Sequence, residues 1–411
     1  MSVYQFKINI DKEEFNQFVE HHPYCNLLQS YQWADVKSNW DHLHTGVYNE
    51  KNELVAVGLV LIKNLPLGLT MFYLPRGPIL DYKNFNLVKY YFSELKRIAK
   101  KRKCIFIKFD PSIHINDYKS YEYNKNRYED TNEYLDIFKR IGAIHHGYTM
   151  NIMDTVQPRF QSVVYDEEEW EDHLPKHTKR LIKDADRRNV RIITGQKELV
   201  KEFSRLVELT EERKNVALRN ETYFEHLLDC YPDGGVIFLA MCNLHDLLQN
   251  ARKKKEELEK EIANTPENAK KKLRKLQDQI NSTQKDIKEF DEMMEAMDHK
   301  KEDIAIAGIL SIQFGNTCEM LYAGMDDRFK KFMPQYKQYV ENFKWAFSRG
   351  CTLANMGGVE GSLDDGLTKF KDNFNPMINE FIGEFDLPVN KILYRPARKA
   401  YEVLKKRNLG E

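Results

Sequence analysis

Two stretches of the chain repeat one order of elements, and this duplication constrains the fold more than any other feature. In the first, Glu53-Leu-Val-Ala-Val-Gly-Leu-Val-Leu61 leads to Met71-Phe-Tyr-Leu-Pro-Arg-Gly77, a helical stretch from Asn86 to Lys101, and Cys104-Ile-Phe-Ile-Lys-Phe-Asp-Pro111. In the second, Asp303-Ile-Ala-Ile-Ala-Gly-Ile-Leu-Ser311 leads to Glu319-Met-Leu-Tyr-Ala-Gly-Met325, a helical stretch from Gln335 to Ser348, and Thr352-Leu-Ala-Asn-Met-Gly-Gly358. Both read strand, strand, helix, strand, with Gly58 and Gly308 at the same place in the first strand. Such self-similarity predicts two copies of one α/β unit. The corner Pro75-Arg76-Gly77-Pro78 breaks the first copy, since proline fixes φ and glycine opens angles closed to other residues. Its expected counterpart is a turn at Tyr322-Ala-Gly324.

The second copy is interrupted by a segment of different composition. Leu273, Leu276, Ile280, Thr283, Ile287, Phe290, Met294 and Met297 recur three and four apart, the period of a coiled-coil stripe. Leu244, Leu248, Ala251, Leu258 and Ile262 form a matching stripe before the turn at Asn264-Thr-Pro-Glu-Asn268. An antiparallel helical hairpin follows, with Lys- and Glu-rich faces left in water. This arm is either a solvated spacer or dimerisation strut, or a substrate-contacting element.

Composition narrows the partners. With 411 residues the chain suits two domains, and with Lys plus Arg and Asp plus Glu at 63 each, any anionic partner must use a local patch. Six scattered cysteines without a CxxC pair, and no secretory leader, favour a reduced, cytoplasmic protein without a disulfide frame or zinc site. The run Leu54 to Ile62 is too short to cross a bilayer. The sequence has no GxSxG elbow, Walker loop, GxGxxG or HExxH, and the pairs His21-His22 and His145-His146 read as surface or packing residues. Neither metal nor cofactor is expected.

The element order resembles the acetyltransferase-like (GNAT-like) α/β fold. The expected architecture is therefore α/β with mixed sheets: a first acetyltransferase-like domain over 1–150, a second over 151–243 and 302–383, the coiled-coil arm over 244–301, and a C-terminal helix at about 384–411 packing back on the first domain. Acetyl-CoA would need a loop of the form Arg/Gln-x-x-Gly-x-Gly/Ala opening a helix, so that backbone N–H groups meet the pyrophosphate. Neither half contains one, and Met356-Gly-Gly-Val-Glu-Gly361 lacks the spacing.

A wider set of residues carries a family resemblance. Pro23-Tyr-Cys-Asn-Leu-Leu-Gln-Ser-Tyr-Gln-Trp-Ala-Asp-Val-Lys-Ser-Asn-Trp40, Leu74-Pro-Arg-Gly-Pro-Ile-Leu-Asp81, Phe109-Asp-Pro111, Gln157-Pro-Arg159, Leu321-Tyr-Ala-Gly324, Asn355-Met-Gly-Gly358 and Phe370-Lys371 stand in order over nearly the whole chain. Together they resemble the Fem family of aminoacyl-tRNA-dependent peptidyltransferases, which build the cross-bridges of Gram-positive peptidoglycan. The wording around Trp33 to Trp40 is most similar to the MurM-type branch, which adds Ser or Ala.

The resemblance implies transfer of Ala, Ser or Gly from aminoacyl-tRNA to the stem-peptide lysine amine of a peptidoglycan precursor, lipid II or UDP-MurNAc-pentapeptide. It implies acceptor-binding roles for Lys37, Trp40, Arg219, Tyr223 and Tyr322. Lys and Arg supply charge-assisted bonds to a diphosphate, and Trp and Tyr offer a flat face to a sugar or base. Read alone, Trp40 also fits a core aromatic, and Arg219 a surface salt bridge. Asp110 ends an apolar strand where open α/β sheets place ligands, and is the candidate catalytic carboxylate: a base, an orienting group or a cap. Lys371 could stabilise charge on the donor ester or on a phosphate. Lys176, Lys179, Arg180, Lys183, Arg187, Arg188 and Arg191 crowd a helix running into a strand, suited to tRNA phosphates, anionic lipid at the inner membrane face, or solvent. The expected state is a monomer or weak homodimer, cytoplasmic or peripheral at that face. The alternatives are an acyl-CoA-dependent N-acyltransferase and a non-catalytic precursor-binding protein.

Overall fold

The duplicated strands form the middles of two mixed sheets. The structure is a computed structural model describing residues 3–122, 126–214, 219–297 and 301–407. The first part runs β1 (Gln5–Ile8), α1 (Lys12–Glu20), α2 (Trp33–Val36), β2 (Asp41–Tyr48), β3 (Leu54–Leu65), β4 (Leu69–Leu74), β5 (Ile79–Leu80), α3 (Phe85–Lys101), β6 (Cys104–Phe109), β7 (His114–Tyr118), α4 (Thr131–Arg140) and β8 (Ile144–His145). After it come β9 (Phe160–Tyr165), α5 (Lys176–Arg187), β10 (Arg191–Gly195), α6 (Val200–Lys214), α7 (Glu221–Cys230) and β11 (Gly235–Cys242). The arm is α8 (Leu244–Ala263) and α9 (Lys270–Glu295). The rest is β12 (Ile304–Phe314), β13 (Thr317–Met325), α10 (Pro334–Ser348), β14 (Leu353–Val359), α11 (Gly366–Lys371), β15 (Met377–Phe381), β16 (Phe385–Pro388) and α12 (Lys391–Arg407).

The first sheet has the order β1-β2-β3-β4-β6-β16-β8, with β5 on β3, and the second β10-β11-β12-β13-β14-β9-β15-β7. Each copy of the repeat contributes one parallel pair, β4 with β6 and β13 with β14, joined by α3 or α10. Strand β6 is buried at every position, which is why it reads as a nearly unbroken apolar run. Helix α3 lays Leu87, Val88, Tyr91, Phe92, Leu95 and Ala99 inward at helical spacing, and Asn84 caps it by accepting the Leu87 N–H at 3.1 Å. The repeated glycine has one packing reason in both copies. A Cβ at Gly58 would lie 2.0 Å from the Tyr91 hydroxyl, and one at Gly308 2.8 Å from the Phe203 ring.

Sheet membership departs from the boundary expected at residue 150. Strand β7 pairs with β15 in the second sheet, and β16 returns to pair with β6 in the first. Residues 385–388, expected in the terminal helix, are thus a strand, and the helix begins at Lys391. A buried ion cluster fixes the return: Lys108 Nζ lies 2.9 Å from Glu384 Oε2 and 3.1 Å from Asp386 Oδ1. Asp386 Oδ2 also meets His146 Nε2 at 2.9 Å and Arg398 Nη1 at 2.8 Å, anchoring α12 against β6.

The arm leaves between the neighbouring strands β11 and β12. Its helices run antiparallel, with Leu258, Leu276 and Ile280 buried between them and Arg252–Asp291 and Lys272–Glu261 bridging them, each at 2.9 Å. At the root, Leu247, Leu248, Phe290 and Met294 pack with Ala185, Phe329 and Phe332, so the base of the arm is part of the domain core. Among the described residues no helix is long and apolar enough to cross a membrane.

Candidate functional site

Four of the five expected acceptor-binding side chains converge where the two domains meet. Asn220 caps α7 by accepting the Tyr223 N–H at 3.0 Å, which places Tyr223 in the first turn and Arg219 just before it. The Arg219 guanidinium lies 5.0 Å from the centre of the Tyr223 ring, and the Tyr322 hydroxyl donates to that of Tyr223 at 3.1 Å. Lys37 ends α2 with its ammonium 5.3 Å from the Trp33 ring. Burial pushes Lys37 down to about 8, and the charge of Arg219 adds to the effect. Trp40 is next door: its backbone N–H donates to the Lys37 carbonyl at 2.8 Å, and its half-buried ring packs against the same core with Lys63 Nζ 5.5 Å above it.

The turn expected at Tyr322-Ala-Gly324 is instead the interior of β13, paired with Gly308–Leu310 of β12. The glycine serves a crossing, since a Cβ at Gly324 would lie 2.5 Å from the backbone of Leu206 on α6.

Asp110, Tyr73 and Arg76 form a closed corner at the ends of β4 and β6. The Asp110 carboxylate accepts the Arg76 backbone N–H at 2.8 Å and the Tyr73 hydroxyl at 3.0 Å, and its residue is 2% exposed. Burial pushes its carboxyl up to about 7, against the pull of the Arg76 charge. Arg76 adopts a left-handed φ of 54° and is 2% exposed; its Nη2 donates to the Pro158 carbonyl at 2.6 Å, and its guanidinium stacks 3.9 Å from the centre of the Phe381 ring. Gln29 holds the turn from the other side, donating to the Pro75 carbonyl at 2.7 Å and accepting the Leu59 N–H at 2.9 Å. Arg76 therefore braces the corner.

Lys371 is the last residue of α11. Its ammonium donates to the carbonyls of Gly357 and Gly358 at 3.0 and 2.9 Å, and its residue is 4% exposed. Pro158, whose carbonyl takes the Arg76 proton, packs on Gly358 so closely that a Cβ there would lie 2.5 Å from its ring. Asp110 and Lys371 are thus linked through Arg76, Pro158 and Gly358.

Between the domains lies a cavity of about 260 Å³, walled by the loop Pro23–Asn26 and Ser112 on one side and by β9, β13, β14 and β15 on the other. Phe381, under the Arg76 guanidinium, forms part of its wall, and Glu319 lines it as well.

The FemAB family model matches residues 10–406. The chain belongs to the FemAB family. Among curated FemAB relatives, the lipid II:glycine glycyltransferase of Staphylococcus epidermidis is 28% identical over 409 residues, covering 96% of this chain and 95% of that protein. Aminoacyltransferase FemA of Staphylococcus aureus is 28% identical over 425 residues, covering 97% and 98%. Among solved structures, FemX superposes with a TM-score of 0.75 at 26% identity, covering 95% of this chain and 99% of that one.

The basic stripe of this FemAB chain lies apart from the inter-domain cavity. On α5, Lys179 pairs with Asp172 at 3.4 Å, Arg187 with Asp184 at 2.9 Å, and Arg180 Nη2 meets His177 Nδ1 at 3.1 Å; Lys176 and Lys183 are exposed. Arg188 stacks 4.9 Å from the Phe332 ring, and Arg191 pairs with Asp303 at 2.5 Å. The buried Thr178 hydroxyl donates to the Asn373 carbonyl, so α5 borders the Lys371 side. At its other end, Arg187 and Arg188 face Lys254 and Lys331 across a cleft of about 680 Å³ at the root of the arm.

Sequence reasoning missed Glu319, Gln29 and Pro158. Gln29 and Pro158 stood inside the segments that carry the resemblance without a role, and Glu319 left its signal as a lone acid inside an apolar strand.

Proposed function

We propose that this chain transfers an amino acid, Ala, Ser or Gly, from aminoacyl-tRNA to the side-chain amine of the stem-peptide lysine of a peptidoglycan precursor. The observation that carries this reading is the meeting of Lys37 and Arg219 with Tyr223 and Tyr322 at the domain interface. Two cations left unpaired by carboxylates among the described residues, beside two aromatic rings, suit a diphosphate attached to a sugar or base. The names of the relatives, a lipid II:glycine glycyltransferase and an aminoacyltransferase, support the same chemistry.

In the reaction the neutral lysine amine attacks the ester carbonyl of the donor. The C–N bond forms, the ester C–O bond breaks, and the proton lost by nitrogen ends on the departing ribose oxygen. Asp110, with its carboxyl near 7, is matched to accept that proton at neutral pH. Its closed position favours a second role, holding the corner through Arg76 and Tyr73 so that the amine is oriented. Lys371 places a fixed positive charge where the donor oxygen gains negative charge. The α5 stripe and the arm supply further phosphate contacts to tRNA.

The test is to mix the chain with a lysine-containing lipid-linked precursor, or its soluble nucleotide-linked form, and a set of charged tRNAs, and to weigh the stem peptide. One added amino acid residue is expected. No addition with any charged tRNA, alongside transfer from an acyl-CoA, would overturn the proposal.

A further inference from the structure

The inter-domain cavity is opposite in charge to the Lys37–Arg219 end. Among the described residues Glu319 is the one carboxylate in its wall, and the one histidine there, His114, is already paired with Asp117 at 3.2 Å. The other polar groups around it are neutral, among them Asn26, Ser112, Gln161, Asn316 and Asn379. Glu319 has no ion pair among the described residues. Its neighbour across the parallel pair, Asn355, shares its amide between Glu319 and Gln161, donating to Gln161 Oε1 at 3.0 Å. Burial pushes the Glu319 carboxyl up to about 7, against the weaker pull of Asn355 and of Arg76. A carboxylate whose burial outweighs the pull of Arg76, and which has no ion pair among the described residues, favours a cationic guest.

Glu319 and Tyr322 lie on one strand three residues apart, about 10 Å at strand spacing. A cationic grip for phosphate and an anionic grip for ammonium thus sit along β13, with the Asp110 corner beside them. We propose that the cavity is a primary-ammonium subsite in which Glu319 pairs with the amine of one of the two reactants. This rests on the aminoacyl-transfer reading, in which both the donor's α-amine and the acceptor's lysine amine carry a proton before reaction.

The test uses the full chain and two unreactive ligands measured by calorimetry: an adenosine bearing its aminoacyl group through a 3′-amide, and a lysine-containing stem peptide. Glu319→Gln, which keeps shape and removes charge, should weaken one of them by about 10- to 100-fold, the size of a lost charge-assisted hydrogen bond. Acetylating the amine of that ligand should cost the wild type the same factor and Glu319→Gln little. Loss confined to the adenosine ligand assigns the donor amine, and loss confined to the peptide assigns the acceptor amine. Glu319→Asp should retain part of the affinity, separating charge from fold. Equal binding of both ligands to wild type and Glu319→Gln, or no binding of either to wild type, overturns the inference. Binding as expected without transfer from any charged tRNA would sink the proposed reaction and leave the ammonium subsite standing.

Discussion

The backbone N–H of Arg76 donates to the Asp110 carboxylate at 2.8 Å, so the turn after β4 and the residue after β6 are fixed by one bond. The same arginine sends its side chain to Pro158, which packs on the glycine that accepts the Lys371 ammonium. A change at any of these positions is therefore felt at both candidate catalytic groups.

Asp110 should give the transfer rate its rising limb. Its folded value of about 7 lies above the ordinary 3.8, so the carboxylate form that accepts a proton fills only as pH passes 7. Asp110→Asn should lower kcat by about 100-fold or more and abolish the limb, if general-base assistance has its usual weight. The stability sign is opposite: between 3.8 and 7 the native state holds more protons, so stability falls as pH rises. Melting curves at pH 5 and pH 8 should lose part of that difference in Asp110→Asn. An unchanged rate profile would leave Asp110 only its bracing bonds.

Lys37 should set the other limb. Its folded value of about 8 lies below the ordinary 10.5, so its charge disappears above pH 8 while an unfolded lysine keeps its own. The KM for the precursor should rise above pH 8 with kcat nearly constant. Lys37→Arg should move that rise to higher pH, and Lys37→Met should raise KM by about tenfold or more below pH 8, as expected for a lost charge-assisted bond, with the difference from wild type narrowing above it.

Arg76→Ala should lower stability and acceptor use together. It also removes the charge that holds the Asp110 carboxyl down, so the residual activity should rise at higher pH than in wild type. A variant losing acceptor affinity at unchanged melting temperature would contradict the bracing role.

Lys371→Met should reduce kcat while leaving precursor KM in place, because the role proposed for Lys371 is at the donor ester oxygen and not at the precursor's diphosphate. Steady-state kinetics with saturating charged tRNA distinguishes this from a binding defect. Full transfer rate in this variant would end its catalytic role.

Asp386→Asn leaves Lys108 and Arg398 without their shared carboxylate. Breaking a buried pair in this way costs about 3–5 kcal/mol. Denaturant unfolding should register that loss, and hydrogen exchange in α12 should quicken most. Exchange no faster in α12 than elsewhere would show that the helix is held by Phe106 and its apolar neighbours instead.

The repeat, the helical spacing and the arm were legible because each is a local pattern: Gly58 and Gly308 mark matching strands, and Leu276, Ile280 and Thr283 mark a buried stripe. The candidate acceptor-binding set was named through resemblance alone, since nothing in the spacing of Lys37, Arg219 and Tyr322 says that they meet. What the sequence hid depends on long-range pairing. Tyr322-Ala-Gly324 looks like a turn until Leu206 lies across it, and Lys108 looks like an interruption of a strand until Asp386 arrives from the far end of the chain. Glu319 had a signal without a meaning until the cavity gave it one.

The crossing of β7 and β16 between sheets has a consequence for motion. Neither half of the duplication owns all of its strands: a fragment ending at residue 150 would lack β16, and one starting there would lack β7. The two domains are laced together, so they cannot swing apart like the jaws of a hinged clamp without tearing strands from sheets. Substrates must therefore reach the space between them past loops and side chains, and the molecule should unfold as one unit rather than as two.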